Sequence, residues 1–251
     1  MTIPATTLLN LLGFITGSAL YAMLLVMVLR EPCASQIARA ERKPDSLPLL
    51  TGVLGLAWNL VAMVGLLSIG GWRLWPFFPL ISAAGFTALG FLPAVVVNSV
   101  LRTSEGLMRR PWALRMTVIA YTLSTVAGAL HFYNALLFRS APSRWALYIL
   151  TIGFIGLTLA LLVYTRWRPE RHGQSLWTGA GWVVALAVFA VSAQHLSHHE
   201  GREFSWWIEL IGHNASLPLV LAILYQDYRF ALADIFLKRA LSLLMLAALA
   251  F

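Results

Sequence analysis

Histidines are the side chains best suited to chemistry in this chain, and three of the six lie within or at the end of long apolar runs. His131 and His213 lie about 10 Å and about 13 Å inside their runs, at a rise of 1.5 Å per residue. His195 lies near the end of another run. Neutral imidazole binds zinc, copper, iron and nickel. Because an ionisable group is costly to bury in lipid without a partner, these three histidines predict a shared site.

Acidic and amide groups extend this predicted site. Glu209 precedes His213 by one helical turn, so the two share a helix face, and the carboxylate can orient the imidazole or share a metal with it. The predicted site residues are His131, His195, His213, Glu209, Asn134 and Asn214. They favour a transition metal, a haem held by two imidazoles, or a small polar ligand. The alternative is that they only hydrogen-bond between helices.

Motifs for other chemistry are missing from the sequence. The segment His195–Glu200 reads HLSHHE, which is not the HExxH of zinc proteases. The one cysteine, Cys33, cannot form an internal disulfide or a metal site alone. Neither lysine, Lys43 or Lys238, falls inside an apolar run, so none is placed to hold retinal as a Schiff base. No catalytic residue is predicted.

The composition is that of a membrane protein. The chain has 251 residues, of which 59% are hydrophobic and 11% charged, and its mean hydropathy is +0.77. Soluble domains carry about 25% charged residues, so this chain has too few to cover a surface in water. The net charge of +8 is therefore expected to meet lipid headgroups and not nucleic acid. The lipid bilayer is the first predicted partner.

Seven apolar runs are each long enough to cross about 30 Å of hydrocarbon as a helix. The runs are Leu8–Leu29, Leu47–Ile69, Pro76–Leu101, Trp112–Phe138, Arg144–Thr165, Leu176–Leu196 and Phe204–Tyr225. An eighth run, 240–251, has only 12 residues, which predicts the start of a further, truncated helix. The predicted fold is an all-α integral membrane protein. A seven-transmembrane helix bundle occupies residues 1–225, and a juxtamembrane segment, 226–239, follows it.

Basic side chains predict how the bundle is oriented. Connections between successive runs alternate sides, and fourteen Lys and Arg side chains fall on one side against four on the other. Because basic residues accumulate on the cytoplasmic side, the N-terminus is predicted outside and the segment after the seventh run inside. The histidine site then opens towards the exterior.

The segment after the seventh run resembles a known juncture. Leu224–Leu244 reads LYQDYRFALADIFLKRALSLL and is similar to the tract after the last receptor helix in multi-span bacterial sensor histidine kinases. The match is carried by Tyr228, Arg229, Phe230, Asp234, Ile235, Lys238, Arg239, Ala240 and Leu241. The predicted coupling residues are Asp227, Tyr228, Arg229, Asp234, Lys238 and Arg239, and Asp234 and Lys238 form an i, i+4 pair in the favoured order. The alternative is an ordinary basic membrane anchor.

This resemblance implies the sensor region of a histidine kinase in the bacterial inner (plasma) membrane, acting as a homodimer, with the kinase domains beyond this chain. A small ligand or metal at the histidine site would change the arrangement of the helices, and the seventh helix would pass that change to residues 226–239. Two other classes stay open. One is a haem- or metal-binding membrane protein with redox or hydrolytic activity, and the other is a structural subunit of a membrane complex.

Overall fold

The computed structural model describes residues 5–34, 47–68, 76–103, 111–166, 176–197 and 206–221, and in these ranges the chain is helical apart from short turns. The helices are α1 (Ala5–Ala34), α2 (Leu47–Ser68), α3 (Phe78–Thr103), α4 (Pro111–Phe138), α5 (Arg144–Arg166), α6 (Leu176–Ser197) and α7 (Trp206–His213). The predicted juxtamembrane segment 226–239 and the run 240–251 lie outside the described residues. So do the coupling residues Asp227, Tyr228, Arg229, Asp234, Lys238 and Arg239.

Five of these helices are long and apolar enough to cross a membrane, which is the composition of a multi-pass membrane protein. They are Thr6–Arg30, Leu47–Leu67, Phe78–Ser99, Pro111–Phe138 and Arg144–Val163. The apolar stretch found in α6 is shorter, Ala185–Ser197, and α7 has eight residues. The all-helical membrane fold is therefore confirmed. Seven crossings and an external N-terminus remain predictions.

The helices close into a ring in chain order. Each packs against the next, α7 returns to α1, and α3 also contacts α6 across the middle. The core lies at the centre of this ring, where Leu92, Phe154 and Leu186 are fully buried. Large apolar side chains such as Leu136 and Ile152 are exposed on the outer surface. Helices that are apolar on all faces are typical of a bundle surrounded by lipid.

Two glycines, one turn apart on α1, allow α2 and α7 to approach closely. Gly13 and Gly17 form a small-xxx-small pair, the pattern that permits close contact between membrane helices. A Cβ at Gly13 would collide with the side-chain amide of Asn214, and a Cβ at Gly17 would collide with that of Asn59. The side-chain amides of Asn214 and Asn59 therefore lie directly against α1, in space that a larger residue at position 13 or 17 would occupy.

The seventh apolar run is interrupted near its middle. α7 ends at His213, residues 214 and 215 are not helical, and helix resumes at Ser216. We attribute the interruption to Pro218, because proline has no N–H to donate to the carbonyl four residues earlier and its ring crowds that carbonyl. The carbonyl in question belongs to Asn214, which instead accepts the N–H of Leu217 at 3.0 Å, as in a 3₁₀ turn. The described part of the seventh run, residues 206–221, therefore consists of two helical segments.

Candidate functional site

Six rings, one from each of six helices, form a connected belt inside the bundle. Neighbouring ring centres lie 5.2 to 6.4 Å apart. In order of contact, this six-ring belt consists of His131, Phe86, Trp58, Phe14, His213 and His195. It contains all three histidines of the predicted site, but it holds them at its two ends, one at the α4 end and two at the α6–α7 end.

His195 and His213 are direct neighbours where α6 meets α7. Their ring centres are 5.6 Å apart and their planes are inclined at 76°. Gly212 makes this possible, because a Cβ at that position would overlap the His195 ring. The hydroxyl of Ser192 donates to the carbonyl of Gly212, which is one of the last carbonyls of α7 and needs a partner outside its own helix. A glycine and a serine thus fix the distance between the two imidazoles.

Two buried amide oxygens lie on the α1 side of this pair. Nδ2 of Asn214 donates to the carbonyl of Leu210 at 2.9 Å, which leaves Oδ1 facing Gly13 of α1. Asn10 precedes Gly13 by three residues and therefore lies on the same face of α1. Within the described ranges, neither amide oxygen accepts a hydrogen bond. The region where α7 ends is thus rich in groups that can share an electron pair with a cation or a proton donor.

The third predicted histidine is tied to the turn between α4 and α5. His131 is fully buried, and its Nδ1 accepts the backbone N–H of Ser143 at 3.0 Å. Asn134, one turn further along α4, donates to the carbonyl and the hydroxyl of Ser140 at 3.1 and 2.9 Å. Both side chains therefore stabilise the connection between α4 and α5.

A hydrogen-bonded network on the other side of the α7 interruption joins α1, α2 and α7. Tyr21 donates its hydroxyl to the backbone carbonyl of Ser216 at 2.8 Å. Nδ2 of Asn59 donates to the Ser216 hydroxyl at 3.2 Å and to the carbonyl of Gly55 at 2.7 Å. Tyr21, Asn59 and Ser216 are all fully buried. The site predicted from the sequence does not include Tyr21 or Asn59. An amide side chain inside an apolar run, such as that of Asn59, does indicate that a polar partner is needed there.

The structure thus divides the predicted site into two parts. His195, His213 and Asn214 come together where α6 meets α7, and Glu209 lies one turn before His213 in α7. His131 and Asn134 lie at the α4–α5 turn. Among the residues that the structure describes, no group of three His, Cys, Asp or Glu side chains is placed to hold a metal. His195 and His213 by themselves can supply two nitrogen ligands to a metal ion.

No protein-family model, no curated protein and no solved structure matches the chain. The geometry of the two parts of the site is therefore what bears on function, since a helical bundle by itself does not specify one.

Proposed function

We propose that this chain is the signal-sensing transmembrane domain of a bacterial histidine kinase, a seven-span bundle in the inner membrane with its N-terminus outside. A small polar ligand or a transition metal binds at the His195–His213 pair. The resulting change passes through the interrupted seventh run to the segment 226–239 and from there to kinase domains beyond this chain. The observation that carries the proposal is that the histidine pair lies directly beside the point where α7 ends.

The distance between the His195 and His213 rings supports a metal ion as the signal that binds there. Two imidazoles bound to a tetrahedral zinc ion through Zn–N bonds of about 2.0 Å have ring centres about 5 Å apart. The observed separation of 5.6 Å between His195 and His213 needs only a small adjustment to reach that value. Asn214, next to His213 in the chain, has a buried side-chain oxygen that can supply a further ligand. Imidazole nitrogen suits zinc, copper and nickel.

The pair is less suited to haem. A haem held by two histidines has its porphyrin between the two rings, which then coordinate the iron from opposite faces. His195 and His213 instead meet edge to face at 5.6 Å, and the backbone of Gly212 already lies against His195. A porphyrin would have to separate α6 from α7 where Gly212 lies against His195.

The interruption after His213 supports the coupling step. Non-helical backbone at membrane depth is tolerated where it is enclosed by protein, and it lets two helical segments change their relative angle. The first segment carries His213, and the second is held to α1 and α2 through Tyr21 and Asn59. A ligand that binds one arrangement of α6 and α7 more tightly shifts the equilibrium by that difference in affinity.

The test measures autophosphorylation by the full-length gene product in membrane vesicles, with and without added Zn²⁺ or Cu²⁺. We expect the metal to change the phosphorylation rate several-fold in the wild type and to have no effect in His213→Phe, which keeps a ring but removes the ligand nitrogens. Trp145→Phe, at a highly exposed position on α5, is the matched control and should respond like the wild type.

Two results would contradict this proposal. One is a full-length protein that incorporates no phosphate, and the other is a metal response that persists in His213→Phe. An absorption spectrum of the purified protein addresses the haem alternative, because a Soret band that disappears in His213→Phe would identify a haem protein instead.

A further inference from the structure

Two buried N–H groups at the α4 end of the six-ring belt have no acceptor among the residues that the structure describes. Trp58 is 3% exposed and His131 is fully buried, and neither Nε1 of Trp58 nor Nε2 of His131 makes a hydrogen bond to a described residue. The indole nitrogen always carries a proton. Nδ1 of His131 accepts the N–H of Ser143, so the proton of the neutral imidazole is on Nε2. Both groups are therefore donors.

The two donors belong to rings that contact the same phenyl ring. Phe86 of α3 lies 5.2 Å from Trp58 of α2 and 5.5 Å from His131 of α4, measured between ring centres. These three residues, which we call the Phe86 layer, come from three successive helices that pack side by side. Phe86 is only partly buried, so the layer extends from the core towards the surface of the bundle.

The chemistry of the Phe86 layer selects a class of ligand. A buried donor without an acceptor is costly, and a bound acceptor recovers that cost. The charged side chains that the structure describes, Arg30, Arg115, Arg139 and Arg144, are all exposed. None of them offsets a negative charge buried in the layer, which disfavours an anion. Water would accept from both donors but would bring two O–H donors of its own. A neutral carbonyl oxygen accepts and brings none.

We propose that the Phe86 layer binds a flat, uncharged aromatic compound that carries a carbonyl oxygen, the chemistry shared by aromatic ketones and quinones. The carbonyl oxygen accepts hydrogen bonds from Trp58 and His131, and the ring system packs against Phe86, since aromatic rings favour such contacts. This site lies on α2, α3 and α4, apart from the His195–His213 pair. It does not depend on whether the chain is a sensor.

A matched pair of probes, 9-fluorenone and fluorene, tests this inference. The two compounds share a flat three-ring skeleton and differ only in a carbonyl group against a methylene group. Their dissociation constants are measured by equilibrium dialysis against the full-length protein purified in detergent. We expect fluorenone to bind about tenfold more tightly than fluorene, a ratio that corresponds to about 1.4 kcal/mol.

Two variants locate the binding. Trp58→Phe keeps an aromatic ring without the N–H, and His131→Asn keeps an oxygen that can accept the N–H of Ser143 but removes the Nε2 donor. Each should weaken fluorenone binding about fivefold to tenfold and leave fluorene binding unchanged, whereas the exposed control Trp145→Phe should alter neither. Circular dichroism and a single elution peak verify folding, and if His131→Asn fails this check, Trp58→Phe alone decides. Equal affinity for the two probes, or wild-type fluorenone affinity in the folded donor variants, would overturn the inference.

Discussion

The two ends of the six-ring belt use the same type of residue in different ways. At the α4 end, His131 accepts a backbone N–H from the α4–α5 turn and stabilises that turn. At the other end, His195 and His213 face each other where α6 meets α7, next to the point where α7 ends. Depth within an apolar run thus does not by itself decide what a histidine contacts. The contact depends on which nearby backbone groups need a hydrogen-bond partner. For His131, that group is the N–H of Ser143.

Two prolines that lie well inside apolar runs, Pro93 and Pro218, show a related contrast. α3 stays helical through Pro93, and the hydroxyl of Ser124 on α4 donates to the carbonyl of Gly90 at 2.7 Å, near the bond that proline removes. The seventh run is interrupted before Pro218. There Ser192 and Tyr21 supply hydrogen bonds to the carbonyls of the two segments. Side chains from neighbouring helices thus bond carbonyls near both prolines, but only the second site leaves the helix divided.

The largest effect is expected where α1 and α2 are in closest contact. A Cβ at Gly55 would overlap the ring of Tyr21, so Gly55→Ala should disturb the network that holds the segment after α7. We expect a loss of about 1–3 kcal/mol in the free energy of unfolding, measured by denaturation in mixed micelles. Gly65→Ala on the same helix is the control, since its Cβ would meet only Phe78 at an ordinary 3.6 Å. Equal stability of the two variants would contradict the packing described.

A second prediction separates the two residues at the α4–α5 turn. His131→Phe leaves the N–H of Ser143 without its acceptor, and because Ser143 is buried, this should cost about 1–3 kcal/mol. Asn134→Ala removes two bonds to the exposed Ser140, which water can replace, and should cost less. The same unfolding measurement applies. A loss in His131→Phe no larger than the loss in Asn134→Ala would contradict the greater cost assigned to the buried bond.

A smaller effect is expected beyond the α7 interruption. Ser216→Ala removes a hydroxyl that bonds Asn59 between two helices, which should cost about 1 kcal/mol. Thr125→Ala is the matched control, because the hydroxyl of Thr125 is exposed and bonds only the carbonyl of Tyr121 in its own helix. If the two variants were equally stable, the contact between Asn59 and Ser216 would not contribute to the fold.

The sequence predicts the helices well because apolar runs long enough to cross a bilayer leave few alternatives for the backbone. Six of the seven runs coincide with α1–α6 to within a few residues. The interruption of the seventh run is signalled by Pro218, although Pro93 shows that a proline alone does not decide it. The grouping of the site is harder to predict. Counting residues from the ends of the apolar runs places His131 and His213 at similar depths in the membrane. The partner of His131, however, is Ser143 in the α4–α5 turn, and helical periodicity does not predict the structure of that turn.

The most direct test of the account concerns the contact between His195 and His213. Cu²⁺ is added to the purified protein carrying His198→Ala and His199→Ala, and the electron paramagnetic resonance spectrum counts the nitrogens bound to the metal. We expect coupling to two imidazole nitrogens that is reduced in His195→Phe and in His213→Phe and retained in His131→Asn. Coupling to two nitrogens that survives in His213→Phe, or disappears in His131→Asn, would contradict the proposed site.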